Sequence, residues 1–544
     1  MDSQRLFLSL IFFFSLYLLW DGWQRHQHPP IQATPAAAVP ANSPVAAASP
    51  SAPVAATAPV PQQQALSGQK ITVTTNWLTA EINTAGGNLY RLKLLQQHDT
   101  NDRNKPFTLL DLRDNHTYVA QTGLLGNGLP THNAIFASSQ NDYQLKEGQD
   151  TLEVRLTAVE EGAVKVTKVY TFHRSSYVID IGYEITNTGT APQSASAYFQ
   201  LVRDTLPPEG GSRFVPTYVG PAVYTDQEKY QKVSFSDIDK NKAKTPGHAD
   251  NGWIAMLQHY FVAAWFLNDK TSREFYTKSL GKGLYSAGMV VPVATLEPGK
   301  TVKVDVPLYA GPTESSLNHI APGLGLTVDY GWLTVISTPL FWVLSVLQGW
   351  VHNWGIAIIL LTVLIKLAFF PLSAAGYRSM AKMRVVAPKL EKIKQQYGED
   401  RERLHKAMME LYKTEKINPL GGCLPMLIQI PVFIALYWAI LSSVELRYAP
   451  FFGWIYDLSA PDPYYILPLI MGTSMIIQSR LSPPPPDPIQ AKVMRTLPVV
   501  FSIVFFFFPA GLVLYSIVNN VLSIAQQWVI THRLEAGSKG AAKA

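Results

Sequence analysis

Four hydrophobic patterns succeed one another along the chain. After Arg5 come fifteen apolar or small residues from Leu6 to Trp20, followed by Trp23. A cleaved signal peptide would give such a run, but the small-residue site Ala36–Ala38 lies too far downstream for ordinary cleavage. The two tryptophans suit an interfacial anchor, so residues 1–24 read as an uncleaved signal-anchor helix. Residues 29–61 carry nine prolines and no charged side chain. Such a segment cannot bury enough apolar surface to fold, and residues 25–68 read as a tether reaching on the order of 100 Å if fully polyproline-like. From about Lys70 to Gly311 the pattern is alternation. Leu152, Val154 and Leu156 form one period-two run, and Tyr177, Ile179, Ile181, Tyr183 and Ile185 form another facing away from Asp180 and Glu184. Turn signals at Ala85–Asn88, Glu161–Gly162 and Asn187–Gly189 separate such runs. The spacing predicts a largely antiparallel β-sandwich over 69–318.

The last third holds five apolar segments, near 354–373, 419–441, 463–479, 494–509 and 511–531. Before them, Tyr330–Trp350 is amphipathic and aromatic, and 319–352 reads as a segment lying along the outer interface. Residues 353–532 form a five-helix core, and 533–544 a basic tail. The basic residues between the segments are uneven. Loop 377–417 carries eleven Lys/Arg against six acids, loop 442–462 has only Arg447 among basic residues, and the turn Pro509–Gly511 has none. The positive-inside rule then alternates the loops inside and outside. Six crossings, both termini in the cytoplasm and the β domain outside satisfy every loop at once. The expected fold is thus a polytopic α-helical membrane protein with a large β domain outside.

Composition agrees. Only 15% of the 544 residues are charged and 47% are apolar, where soluble domains carry about 25% charged residues. The single cysteine, Cys423, excludes an intrachain disulfide or a thiolate metal cluster. Phosphate-loop, zinc-protease and nucleophile-elbow motifs are absent. His26 and His28 sit at the tether's edge and give no metal site. The chain reads as no enzyme, with no cofactor and no metal.

Lys366 stands inside the apolar run Gly355–Pro371. An intramembrane cation is costly and usually faces a wet cavity; a lysine stem near a helix end also snorkels to the interface as a plain anchor. Thr362 lies one turn away on the same face. Gln429, Ser502, Asn519 and Asn520 could line the same groove, as could Thr473, Ser474, Gln478, Ser523, Gln526 and Gln527; for each alone, an interhelical hydrogen bond is the plainer role. No acid lies in the five apolar segments, so Lys366 suits a groove receiving something polar or acidic. The segment ending at Pro509 is short and would thin the bilayer. In loop 377–417, Met380, Met383, Ala387, Leu390 and Ile393, then Leu404, Ala407, Met408 and Leu411, recur at helical spacing around Gly398–Asp400. This predicts a helical hairpin with one apolar seam. It is either self-packed with a solvated surface, or a contact platform through Arg378, Met380, Lys382, Met383, Arg384 and Met408.

Several stretches resemble the YidC/Oxa family of membrane protein insertases: Asn418–Phe433 (NPLGGCLPMLIQIPVF), Asp462–Pro468 (DPYYILP), Phe508–Tyr515 (FPAGLVLY) and Tyr377–Arg384 (YRSMAKMR). With one helix before a large external domain, the layout is similar to the Gram-negative form. The resemblance implies a five-helix core in the inner membrane with a hydrophilic groove open to cytoplasm and lipid and closed toward the periplasm. It implies a positive charge in that groove, here Lys366 where the family usually carries arginine, and a β-supersandwich outside. It implies nascent membrane proteins as substrates, inserted alone or with the Sec translocon and its accessory subunits. The basic hairpin and tail would then meet the ribosome and the signal-recognition-particle receptor, and the helices membrane lipids. Two other classes compete: a small-solute transporter, which predicts repeated halves and coupling-ion ligands, and a membrane-anchored periplasmic carbohydrate-binding module, for which five further helices are excessive.

Overall fold

The computed structural model describes residues 68–100, 102–159, 163–208, 217–398, 400–415, 424–481 and 488–541. The expected signal anchor, nearly all of the tether, the Glu161–Gly162 turn and Cys423 lie outside the described residues.

Between Lys70 and Pro312 the chain builds a ten-stranded and a nine-stranded sheet. Nearly all pairings are antiparallel, the exception being Lys70–Thr74 beside Asp142–Gln144. The alternation explains the layers. In strand Val178–Asn187, Ile179, Ile181, Tyr183 and Ile185 are buried while Asp180 and Glu184 stay partly exposed. It lies between Val164–His173 and Thr301–Pro312, with Ile181 opposite Tyr170 and Val306. Side chains from both sheets share one apolar core, including Leu110, Phe199, Met289, Phe172 and Trp265. At Ala85–Asn88 the turn requires glycine: Gly86 has φ +83°, and a Cβ there would sit 2.0 Å from His132 O. Asn187 makes its turn with its side chain, accepting from Gly189 N at 2.9 Å and donating to Leu296 O at 2.6 Å.

Beyond three short turns between Ser315 and Leu333 come the helices α1 (Thr334–Val351), α2 (Trp354–Ala368), α3 (Phe370–Tyr397), α4 (Arg401–Thr414), α5 (Leu424–Ser442), α6 (Ile466–Leu481), α7 (Pro488–Phe505) and α8 (Ala510–Ala541), with a long loop between α5 and α6. The expected apolar segment 354–373 is not one helix. It breaks at Phe369, and α2 and the first half of α3 diverge by 67°. Pro371 supplies the reason: it lacks the N–H that would bond Leu367 O, and its ring disfavours helical backbone at the residue before it. Lys366 therefore stands in the last turn of α2, not several residues inside a continuing helix. The basic tail also differs, since α8 runs on to Ala541.

Among the described residues, α1 and the Ala510–His532 part of α8 are long and apolar enough to cross a membrane, and the bent α2–α3 pair makes a third candidate. The apolar parts of α5, α6 and α7 are shorter. The helices share a second core that includes Leu344, Leu361, Leu436, Met471 and Leu512. α8 packs on α6, α2 and α3; α1 packs on α2 and α5; α7 leans on α6. The α3–α4 hairpin closes on Val386, Leu390 and Tyr412, with Met408 and Leu411 against them. Leu390, Met408 and Leu411 lie in the expected seam, and at one position Val386 is buried instead of Ala387, which faces solvent. Asp400 caps α4, accepting from Glu402 N and Arg403 N at 3.1 and 3.0 Å.

Candidate functional site

Lys366 Nζ donates to Ser523 Oγ across the α2–α8 contact at 2.7 Å. Ser523 passes its own proton to Asn519 O, one turn earlier, at 2.7 Å. One hydroxyl thus links the lysine of α2 to a carbonyl of α8. No carboxylate pairs with Lys366 among the described residues. The ammonium has two further donors to offer.

The other expected groove residues divide. Asn519 is half-buried beside this cluster, at the carbonyl Ser523 uses. Gln429 is half-buried on α5, and its amide donates to Tyr515 OH on α8. Thr362 is buried, and its hydroxyl bonds Ile358 O of its own helix at 2.7 Å. Asn520 is buried too, donating to Ser474 Oγ at 3.2 Å and lying 3.5 Å from Met471 Sδ. Ser502 bonds Pro498 O at 2.8 Å and sits over Gly472, where a Cβ would come within 2.1 Å of its hydroxyl. Asn520 makes the interhelical bond of the plainer reading, whereas Thr362 and Ser502 bond carbonyls of their own helices. Gln526 and Gln527 fasten helix ends, bonding Phe370 O at 3.5 Å and Leu481 O at 3.1 Å.

The hairpin residues lie on a separate surface. Arg378 and Lys382 are exposed, Met380 and Met383 half-buried, and Met408 packs in the seam. The Arg384 side chain lies outside the described residues.

A family model described as the YidC periplasmic domain matches residues 70–343, and one described as the 60Kd inner membrane protein matches 346–537. Membrane protein insertase YidC of Nitrosospira multiformis is 56% identical over 100% of this chain and 99% of that one. The namesake from Methylobacillus flagellatus is 54% identical over 100% of each. The chain belongs to the YidC family of membrane protein insertases. A solved active YidC insertase is a more distant likeness, with 20% identity and a TM-score of 0.38 over 84% of this chain and 92% of that one.

For a YidC-family chain, the match through both the periplasmic part and the helical part disfavours the transporter and carbohydrate-module readings, and the family is one of insertases rather than enzymes. The family stretches also find their work. Asp462 is buried, accepting from Trp454 Nε1 (3.0 Å), Tyr464 N (3.0 Å) and Leu467 N (2.7 Å), and so caps α6. Ala510 N and Gly511 N bond Ala460 O and Leu458 O at 2.8 and 2.9 Å. Ser523, the direct partner of Lys366, stood out in the sequence only as one of many polar residues. Its i, i+4 spacing from Asn519 was the available signal. The pairing itself crosses 157 residues.

Proposed function

We propose that this chain inserts proteins into the inner membrane through a hydrophilic groove centred on Lys366. The observation that carries the reading is a lysine at the membrane end of α2, held by Ser523 and opposed by no carboxylate among the described residues. A polar or acidic segment of a nascent chain is drawn to that charge, while its apolar segment moves into lipid along α5 and α7. Exposed Leu497, Val499, Val500, Phe501, Ile503 and Val504 make α7 a greasy outer surface. Hydrophobic transfer drives the process, since about 20 apolar residues leaving water outweigh a short polar crossing. The membrane potential adds about 2.3 kcal/mol per acidic charge per 100 mV.

Six crossings with both termini in the cytoplasm fit the loop charges, counting the N-terminal run as the first. α1 is then interfacial. Only one link, His352–Asn353, separates it from α2, so a crossing α1 would put the basic loop 377–417 outside, against the positive-inside rule. Its exposed Trp342 and Trp350 suit a membrane surface. The Sec translocon, the ribosome and the signal-recognition-particle receptor are the partners proposed for the assembly, the latter two at the basic hairpin. Lysine for arginine keeps the charge and loses the two-pronged fork.

The test is insertion of a two-helix protein with an acidic translocated loop into liposomes without translocon. Wild type should insert it, Lys366→Arg should match, and Lys366→Leu should fail. Equal insertion by Lys366→Leu would reduce Lys366 to an interfacial anchor. No insertion by wild type above empty liposomes would sink autonomous insertion.

A further inference from the structure

The loop between α5 and α6 touches both halves of the chain. Toward the helices, its Phe451 ring covers Gly355 at the start of α2, where a Cβ would lie 2.0 Å from the ring. Asn353 donates to Phe451 O at 3.4 Å. Leu458 and Ala460 receive the first amides of α8. One loop therefore seats the starts of α2, α6 and α8 together.

Toward the β domain, the same loop presents Arg447. Its guanidinium lies 5.3 Å from the ring centre of Phe107, 5.5 Å from Phe261, 5.9 Å from Tyr260 and 5.2 Å from Tyr448. Phe107 and Phe261 are themselves stacked at 3.9 Å. Nη2 donates to Thr100 Oγ1 at 2.9 Å, and Nη1 is buried without a partner. A guanidinium suits such a site, because its flat, weakly hydrated faces stack on rings while its edge donates. The flanking contacts point the same way. Tyr448, at φ +55°, donates its hydroxyl to Asp99 O, and its ring meets His98 edge-on at 5.4 Å. His259 Nε2 donates to Leu441 O at 2.9 Å, satisfying a carbonyl that the end of α5 leaves open. Ser442 Oγ donates to Asp329 O, just past the β domain, at 2.6 Å.

We infer that Arg447 pins the β domain onto the α5–α6 loop, making that domain a brace that holds the outer ends of α2, α6 and α8 in place. Of the rings around Arg447, Phe107 and Phe261 belong to strands Pro106–Arg113 and Phe261–Phe266, Tyr260 precedes the latter, and Tyr448 is its own neighbour in the loop. Loss of the pin leaves each half folded and frees one to rock on the other. This goes beyond insertion activity and does not depend on it.

Distance measurement between two spin labels in liposomes tests it. The full chain would carry Cys423→Ser with labels at Lys282→Cys in the β domain and Thr496→Cys in α7. The wild-type background should give one narrow distance. Arg447→Ala should broaden it about twofold, as expected of a released local unit. Arg447→Lys should fall between, because it restores the charge and not the fork or the stacking. Arg447→Ala as narrow as wild type overturns the inference. Should Arg447→Ala not fold, Thr100→Val with Tyr448→Phe removes only hydrogen bonds, and the same broadening or its absence decides. Insertion measured on the same samples stands apart, so a failed brace and a failed insertase reading give different results.

Discussion

At the residue scale, three buried ionisable groups outside the membrane make stability depend on pH in different directions. Glu445, on the loop after α5, is pushed up to about 7 by burial, with Glu314 adding repulsion. The folded state then binds more protons than the unfolded between the ordinary glutamate value and about 7, so this contribution is present in acid and lost as pH rises through that window. His259 is pushed down to about 4, burial being the main cause. Its stabilisation is present at neutral pH and lost as pH falls from the ordinary histidine value toward about 4, because the buried ring must then carry a charge. Thermal melts of Glu445→Gln should therefore decline less than wild type between pH 5 and 7, and identical slopes would contradict the burial argument. Lys168 is wholly buried among Phe136, Tyr170 and Tyr183, bonding only Gly86 O at 3.3 Å, and burial drives its pKa well down. Lys168→Met should leave the protein as stable or more so, by about 1 kcal/mol, since an unpaired buried amine is replaced by a chain of similar length. Marked destabilisation in a melt at neutral pH would mean the Gly86 bond matters more than desolvation.

Elements are governed by small residues and by one carboxylate. Asp462 satisfies three N–H groups at once. Asp462→Ala strands buried donors at about 1–3 kcal/mol each, so the start of α6 should become cleavable in limited proteolysis, while an unchanged pattern would argue that water substitutes. Gly472 lets α6 and α7 meet at Ser502. Gly472→Val should cost on the order of 1–3 kcal/mol by overpacking, read as a lower melting temperature. The break between α2 and α3 belongs here too. Pro371 was plain in the sequence, yet hydropathy alone ran the apolar segment through it, because both sides of the break are equally apolar. One position of the hairpin seam differs for a related reason. Val386 and Ala387 both fit a helical period, and only the partner helix with Tyr412 decides which one is buried.

At the scale of the whole molecule, the β domain and the helices are joined by the loop that carries Arg447. Deleting residues 70–310 should lower insertion by liposome assay without abolishing it, because Lys366 and Ser523 remain while the brace is gone. Complete loss would place the essential chemistry in the β domain instead. Charge asymmetry adds a topological expectation. A cysteine at Lys406 in a Cys423→Ser chain should be labelled only from the cytoplasmic side, and one at Lys282 only from the periplasmic side; the reverse would overturn the assigned orientation.

Much was legible in the amino-acid order because it depends on local periodicity. Alternation specified strands, apolar runs specified helices, and the four motif stretches pointed to the family. Lys366 was conspicuous because a charge in an apolar run is costly wherever that run folds. Tertiary structure decided the rest. Thr362 and Asn520 are polar by composition, but helix packing spends their hydrogen bonds internally. Ser523 gains its place only because α8 lies against α2. Arg447 read as the lone basic residue of an outer loop; the stacked rings of Phe107 and Phe261 beside it come from strands more than 180 residues earlier. Local pattern determines what an element is, whereas a pair distant in sequence exists only once non-local packing has brought its members together.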